Sequence, residues 1–297
     1  MKDLVKKIVI GSWSFSGDLG KANIKNSHEA IAHAIKNNLN QFDTAPVYGD
    51  GIVDNLLSNY KKEIIVNTKC GYGEDSSKKT FNEDDIKRSL DKSLNTFEKI
   101  NILYLHNPRN EIKKWGRIIH LLNQFKKEKL IKFIGISLAR DYYFDKDLLS
   151  EFDFIQDDIN LLKLNNLSYL KKTKKKIVAR SPLATGLITN KFNFKTKFSK
   201  KDYRYGWCKN ERFKSILFQV DQLKKLYGKN KEVAEFAQLY LLQNKHIDLI
   251  NFGVKNIDQV NCLINLVKKK KINESIIEKL SLLIRKNYNL ESTAEVY

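Results

Sequence analysis

A (β/α)8 barrel is the fold this chain predicts, and three observations predict it. Eight short apolar runs alternate with segments of helical periodicity along 297 residues. Several of the runs are continuous instead of alternating, as strands covered on both faces should be. The only three prolines, Pro46, Pro108 and Pro182, each stand just after an expected strand, which leaves the helix interiors clear.

The expected strands are Lys7 to Gly11, Gln41 to Asp43, Glu63 to Thr68, Asn101 to His106, Lys132 to Ser137, Asp153 to Gln156, Lys176 to Ser181 and Asp248 to Phe252. Between them run apolar stripes at helical spacing: Ala30, Ile31, Ala34 and Ile35, then Ile86, Leu90, Leu94 and Phe97, then Trp115, Ile118, Ile119, Leu122 and Phe125. Asn26 with Glu29, Asn82 ahead of three acidic residues, and Asn256 with Gln259 read as helix starts. Pro182 to Asn210 shows no periodicity, and a loop of that length after the seventh strand should fold over a functional site. A last stripe, Ile276, Ile277, Leu280, Leu283 and Ile284, should pack on the barrel exterior and bring the tail Asn287 to Tyr297 near the rim. No linker-like stretch interrupts the chain, so residues 1–297 read as a single domain.

The formal charge is +20. Its densest runs, Lys171-Lys172 with Lys174 to Lys176, and Lys268 to Lys271, sit at expected helix ends, where lysines are solvated and complement the helix dipole. They lack interleaved aromatics, which argues against a nucleic-acid partner. Cys70, Cys208 and Cys262 are far apart, with no histidine at metal-ligand spacing, so no metal site and a reducing, cytoplasmic setting are expected. No stretch approaches the ~18 apolar residues of a membrane span, so no membrane partner is expected.

Four polar residues stand at or just past the ends of successive strands: Asp43, Tyr48, Lys69 and His106. On parallel neighbours their side chains converge at the carboxyl end of the barrel, the end where such folds do chemistry. A carboxylate, a phenol, an ammonium and an imidazole in one pocket form a proton-transfer device suited to reducing a carbonyl. The other four histidines, His28, His33, His120 and His246, fall in or at the ends of expected helices and read as structural.

The segment Phe42-Asp43-Thr44-Ala45-Pro46-Val47-Tyr48-Gly49 resembles the active-site signature of the aldo-keto reductases, NAD(P)H-dependent oxidoreductases built on this barrel. Similar matches follow in order: Asn67-Thr68-Lys69, Tyr104-Leu105-His106-Asn107-Pro108, Gly135-Ile136-Ser137, Gln156 to Asn160, Arg180-Ser181-Pro182-Leu183 and Phe252-Gly253-Val254-Lys255-Asn256. The resemblance implies that Tyr48 is a general acid whose pKa Lys69 lowers, that Asp43 holds the ammonium, and that His106 orients a small carbonyl or alcohol substrate. It also implies that Ser137 and Gln156 bond the nicotinamide carboxamide and that Arg180 lies against the ring. Ser181, Leu183, Gly253, Lys255 and Gln259 would then hold the rest of NADP, with NAD possible. No Gly-x-Gly-x-x-Gly turn follows a strand, so the cofactor is not held in the doubly wound manner.

Specificity is expected in the loops that carry Trp13, Tyr72, Asn107 and the segment Phe192 to Trp207. Three features depart from the family pattern. Leu138 stands where an Asn often follows the strand serine; Gly253 and Gln259 occupy places where relatives that prefer NADP often carry basic residues, though Lys255 is close by. The chain also starts without room for the hairpin that commonly plugs the amino-terminal end of the barrel, so another element or a partner should cover that face. A different class of function, a barrel that binds cofactor yet serves as an interaction or regulatory subunit, is compatible with the same fold.

Overall fold

The computed structural model describes residues 2–73, 78–140, 142–207, 211–227 and 232–286. Its eight strands are β1 (Ile8–Gly11), β2 (Gln41–Asp43), β3 (Ile65–Cys70), β4 (Ile100–His106), β5 (Ile131–Ser137), β6 (Phe154–Asp158), β7 (Lys176–Arg180) and β8 (Leu249–Gly253). All are parallel and pair in sequence order, and β1 closes on β8 through Ile8↔Ile250 to Gly11↔Gly253. The predicted (β/α)8 barrel is therefore the fold.

Two strands run further than their sequences suggested. Lys69 lies inside β3 and not beyond it, and β6 continues past Gln156 to Asp158. Both extensions end in residues that a turn-based reading takes for loop. In each case the inward face holds charged groups that have partners inside the barrel.

Alternation along the strands sorts side chains into two sets. On β4, Leu103 and Leu105 belong to the large core shared with the surrounding helices, whereas Ile102 and Tyr104 join Phe154, Val178, Phe133 and Leu249 in a separate inner cluster. That inner layer fills the lower barrel. Above it the interior turns polar, with Asp43, Lys69, His106, Ser137, Gln156 and Asp158 all buried.

The helices are α1 (Lys2–Val5), α2 (Ile24–Lys36), α3 (Ile52–Ser58), α4 (Glu83–Phe97), α5 (Trp115–Lys127), α6 (Lys146–Ser150), α7 (Leu164–Leu170), α8 (Glu211–Tyr227), α9 (Val233–Gln243), α10 (Ile257–Leu266) and α11 (Glu274–Lys286). Asn82 and Asn256 cap α4 and α10 as expected, each accepting from the backbone N–H three residues on. For α2 the cap is Asn23, not Asn26, because Asn23 is the residue that leaves the helix for extended backbone. Helices α6 and α7 are too short for a periodic signature. None of the helices among the described residues is long and apolar enough to cross a membrane.

At the amino-terminal mouth, α1 stands directly before β1, with Leu4 and Val5 packed on the core. Lys7 donates to the carbonyls of Leu242 (3.4 Å) and Asn244 (2.9 Å), and the Lys176 ammonium lies 5.1 and 5.0 Å from the Phe133 and Phe154 ring centres. Lysine stems thus border the inner apolar layer where a hairpin was thought missing. At the other end, the segment after β7 carries a short 3-10 turn, Ala184–Gly186, and closes onto the loop after β1. Tyr203 N–H donates to Asp18 O (2.7 Å), and Arg204 donates to Leu19 O (3.0 Å). The positions 208–210 of that loop, the tail Asn287 to Tyr297 and the side chains of Leu283 and Ile284 lie outside the described residues.

Gly135 sits beside the buried Tyr104 ring, and a Cβ there would overlap the ring carbons. Tyr104 is fully enclosed and has nowhere to go. Gly135→Ala should therefore cost about 1–3 kcal/mol of stability, as overpacking does. Urea unfolding checks this; an unchanged midpoint would contradict the packing described.

Candidate active site

The path from β2 into α3 places Tyr48. Thr44 N–H donates to Asn67 O on β3 (2.8 Å), and its hydroxyl donates to Asp54 of α3 (2.6 Å). A turn closed by Tyr48 N–H on Ala45 O (2.9 Å) then swings the phenol back over the barrel, and Gly49 and Gly51, both with positive φ, lead into α3. The backbone is fixed by neighbours on two sides.

Lys69 points inward from β3 and is almost wholly buried. Its ammonium donates to Asp43 Oδ1 and to Thr44 O (2.8 Å) and lies 4.9 Å from the Tyr48 ring centre. Burial opposes charge on Lys69, yet Asp43 and Tyr48 more than offset it, so the ammonium is held above its ordinary pKa. It stays protonated throughout the neutral range.

Tyr48 corrects an expectation. Enclosure of the phenol raises its pKa by more than Lys69 lowers it, with Asp43 adding to the rise, so the net direction is upward. His106 moves the other way: burial, with Lys69, Arg180 and Lys79 nearby, depresses it well below the usual imidazole value. The site therefore holds a protonated phenol and a neutral imidazole. Their rings meet edge to face with centroids 6.1 Å apart, and Tyr72 meets His106 at 5.4 Å.

A second buried network continues from the first. Gln156 Nε2 donates to Asp43 Oδ2 (2.9 Å), and Gln156 Oε1 accepts from Ser137 (2.9 Å). Arg180 in turn donates to Ser137 Oγ (2.8 Å), Asn107 Oδ1 (2.8 Å), Leu138 O (3.1 Å) and Asp158 Oδ1 (2.9 Å). Arg140 bonds the other oxygen of Asp158 (3.0 Å). In spite of its burial, Asp158 is kept well below the usual carboxylate range by these two guanidiniums.

The same contacts place the residues that the resemblance assigned to cofactor and substrate. Arg180, expected flat against a ligand ring, is held by its four acceptors among the strand ends. Ser137 and Gln156 are joined to each other and to the charged groups on either side, so their polar atoms already have partners. Asn107, assigned to substrate, turns its side chain to Arg180 from a left-handed backbone with φ of 54°. Lys255 gives its ammonium to the carbonyls of Leu19 (2.6 Å) and Gly20 (3.4 Å), and Gln259 accepts from Lys255 N–H (2.7 Å).

Ser181, also at positive φ, and Leu183 lie just past β7, and Gly253 ends β8 with only Ser14 Oγ near the place a Cβ would take. Trp13 stands 6.2 Å from Tyr48, its indole N–H held by Asp18 (2.8 Å), and Tyr203 from the β7 loop stacks edge-on against it at 5.2 Å. Thr44 and Asp158 fall within quoted motifs but were given no role of their own, and Arg140 was not singled out. For Asp158 a signal existed, since Phe154, Gln156 and Asp158 keep strict alternation on one face.

Barrel and site together gather a phenol, an imidazole and buried charged groups at the carboxyl end of the strands, the end where such barrels do chemistry. The family model for the aldo/keto reductase family matches residues 7–284, and the chain belongs to that family. It is 27% identical to L-galactose dehydrogenase of Arabidopsis thaliana over 252 residues, covering 77% of this chain and 74% of that one. It is 25% identical to aldo-keto reductase YhdN of Bacillus subtilis over 281 residues, covering 86% and 83%. Among solved structures, a glycerol dehydrogenase from Gluconobacter oxydans superposes with a TM-score of 0.78 at 22% identity, over 94% of this chain and 91% of that one. The holo form of an aldo-keto reductase from Bacillus halodurans does so with 0.73 at 17%, over 93% and 91%.

Asp157 is the unfavourable member of the site. Burial, with the Asp158 charge beside it, pushes its carboxyl up to about 7, although Arg180 and Lys163 oppose the rise. A carboxyl whose pKa is higher folded than unfolded weakens the fold as pH climbs between the two values, by about 1.4 kcal/mol per pH unit. Asp157→Asn keeps a carbonyl to accept Asp158 N–H (2.7 Å) and removes that penalty. The variant should be more stable than the parent at pH 8 and nearly equal to it at pH 4 in chemical unfolding. Equal stability at both pH values would contradict the assignment.

Proposed function

We propose that this chain reduces an aldehyde or ketone to an alcohol, reversibly, with Tyr48 as general acid. The observation that carries the reading is one buried ammonium, Lys69, bonded to Asp43 and 4.9 Å from the Tyr48 ring, with the His106 ring edge to face against that phenol at 6.1 Å. Members of this family use nicotinamide cofactors, and the strand ends fit one: Gly253 leaves room at β8, and the buried Thr185 hydroxyl beyond β7 has no partner among the described residues. Arg180, Ser181, Leu183 and the segment Gly253 to Gln259 would hold it. When bound, the cofactor supplies hydride to the carbonyl carbon.

Charge then grows on the carbonyl oxygen, and the residues of this chain answer it. His106, neutral and enclosed, donates to that oxygen and fixes its direction. Tyr48 transfers its proton to the same oxygen, and Lys69 stabilises the phenolate left behind while Asp43 keeps the ammonium in place. The raised pKa of Tyr48 favours this division of labour, because the acid must be protonated at the start. Trp13, Tyr72 and Tyr203 wall the entrance and exclude water from the developing charge. Since Lys255 is committed to backbone carbonyls, the geometry supports NAD as readily as NADP.

Tyr48→Phe should reduce kcat for carbonyl reduction by roughly 10²–10⁴, the usual contribution of a positioned acid. Cofactor affinity, followed by fluorescence titration, should change little. In the parent, kcat for reduction should stay level across neutral pH and fall only in the alkaline range, above the ordinary phenol value near ~10, as Tyr48 loses its proton. Full turnover by Tyr48→Phe would overturn the proposal.

A further inference from the structure

A cavity of about 170 Å³ opens sideways from the candidate site, between the carboxyl end of β3 and helix α4. Its inner end is walled by Lys69, Tyr72 and His106; its outer end carries Arg88, Ser89 and Lys92 from α4. Lys92 stands one turn beyond both, four residues after Arg88 and three after Ser89. A cavity of ~150 Å³ accepts a molecule the size of benzene, so this one suits a chain of about half a dozen heavy atoms.

Among the lining residues three are cations, Lys69, Arg88 and Lys92, against one carboxylate, Asp85. Lys69 is answered by Asp43. Arg88 is answered by Asp85 at 2.5 Å, and Asp85 also accepts from Thr80 (2.5 Å) and Asn82 (2.6 Å), so its carboxylate is committed and holds the guanidinium in place. Asp54 of α3 accepts from the neutral Thr44 hydroxyl and faces both Lys69 and Lys92 with its charge. Lys92 has no carboxylate partner among the described residues. Cys70, also in the wall, is held as a neutral thiol by burial, and His106 is neutral, so neither adds negative charge. The exposed Lys92 ammonium, the outer edge of Arg88 and the Ser89 side chain line the outer end, where a ligand can meet them.

We propose that this cavity selects the substrate: a short aldehyde whose carbonyl sits at Tyr48 and His106 and whose far end carries an anionic oxygen group that Arg88, Ser89 and Lys92 bind. The inference rests on the carbonyl-reductase reading and names its substrate class. Carboxylate and phosphate share the required chemistry, and cavity size favours the shorter of them.

The test compares kcat/KM for succinic semialdehyde, glyceraldehyde 3-phosphate, butanal and 4-aminobutanal in the parent, in Lys92→Glu and in Lys92→Arg. The parent should favour at least one of the two anionic aldehydes over butanal by about tenfold or more, and which of them leads identifies the group. Lys92→Glu should lower the ratio of anionic to neutral kcat/KM by about tenfold and raise that of 4-aminobutanal to butanal, while Lys92→Arg should keep the parent's order. A structural effect of the substitution would move all four aldehydes together. Turnover of butanal with no preference for either anion, or parallel changes in Lys92→Glu, would overturn this inference and leave carbonyl reduction standing. Absence of turnover with every aldehyde would overturn both.

Discussion

A lysine ammonium inside a barrel is the constraint around which the rest of the site is arranged. Burying an unpaired cation costs several kcal/mol, so Lys69 must have acceptors. It has Asp43 and the Thr44 carbonyl, with the Tyr48 ring 4.9 Å away. Each of these is fixed in turn: Asp43 by Gln156, Thr44 by Asp54 and by Asn67 of the next strand. Satisfying one charge thus orients a phenol above it, and the geometry needed to stabilise a phenolate follows from the geometry needed to bury the lysine.

The same logic runs across the top of the barrel. From Lys69 the hydrogen bonds pass through Asp43, Gln156, Ser137 and Arg180 to Asp158 and Arg140, joining five strands in one polar layer. Positive and negative groups alternate or are separated by an amide and a hydroxyl, so no charge in the series lacks a partner. Such a layer is rigid because each side chain is held at more than one atom. Left-handed backbone at Asn107, Ser181, Ala184 and Thr185 gathers at this end of the barrel as well, where tightly held loops meet the strand ends.

Much of this was legible beforehand, for identifiable reasons. Strand order, the catalytic end and the quartet followed from alternation and from polar residues terminating apolar runs, because a closed parallel barrel puts all carboxyl ends on one rim. The role of Arg180 was not legible, since its partners Asp158, Asn107 and the Leu138 carbonyl come from three other strand ends and their meeting depends on register. Nor was the direction of the Tyr48 shift: adjacency to Lys69 is visible in a sequence motif, whereas the depth of burial that outweighs it is not. Lys255 was read as a cofactor contact, and nothing in a sequence shows that the loop after β1 also brings its carbonyls within reach of that ammonium.

The central claim is that the Asp43–Lys69 pair is retained for chemistry and not for folding. Buried ion pairs can be replaced by neutral groups of similar volume at little cost in stability, provided both partners change together. The most direct measurement is single-turnover carbonyl reduction by the Asp43→Asn, Lys69→Met double variant, alongside its unfolding free energy. The account predicts a folded protein of near-parental stability whose reduction step is slower by roughly two orders of magnitude or more. A double variant that reduces its carbonyl at the parental rate would contradict it.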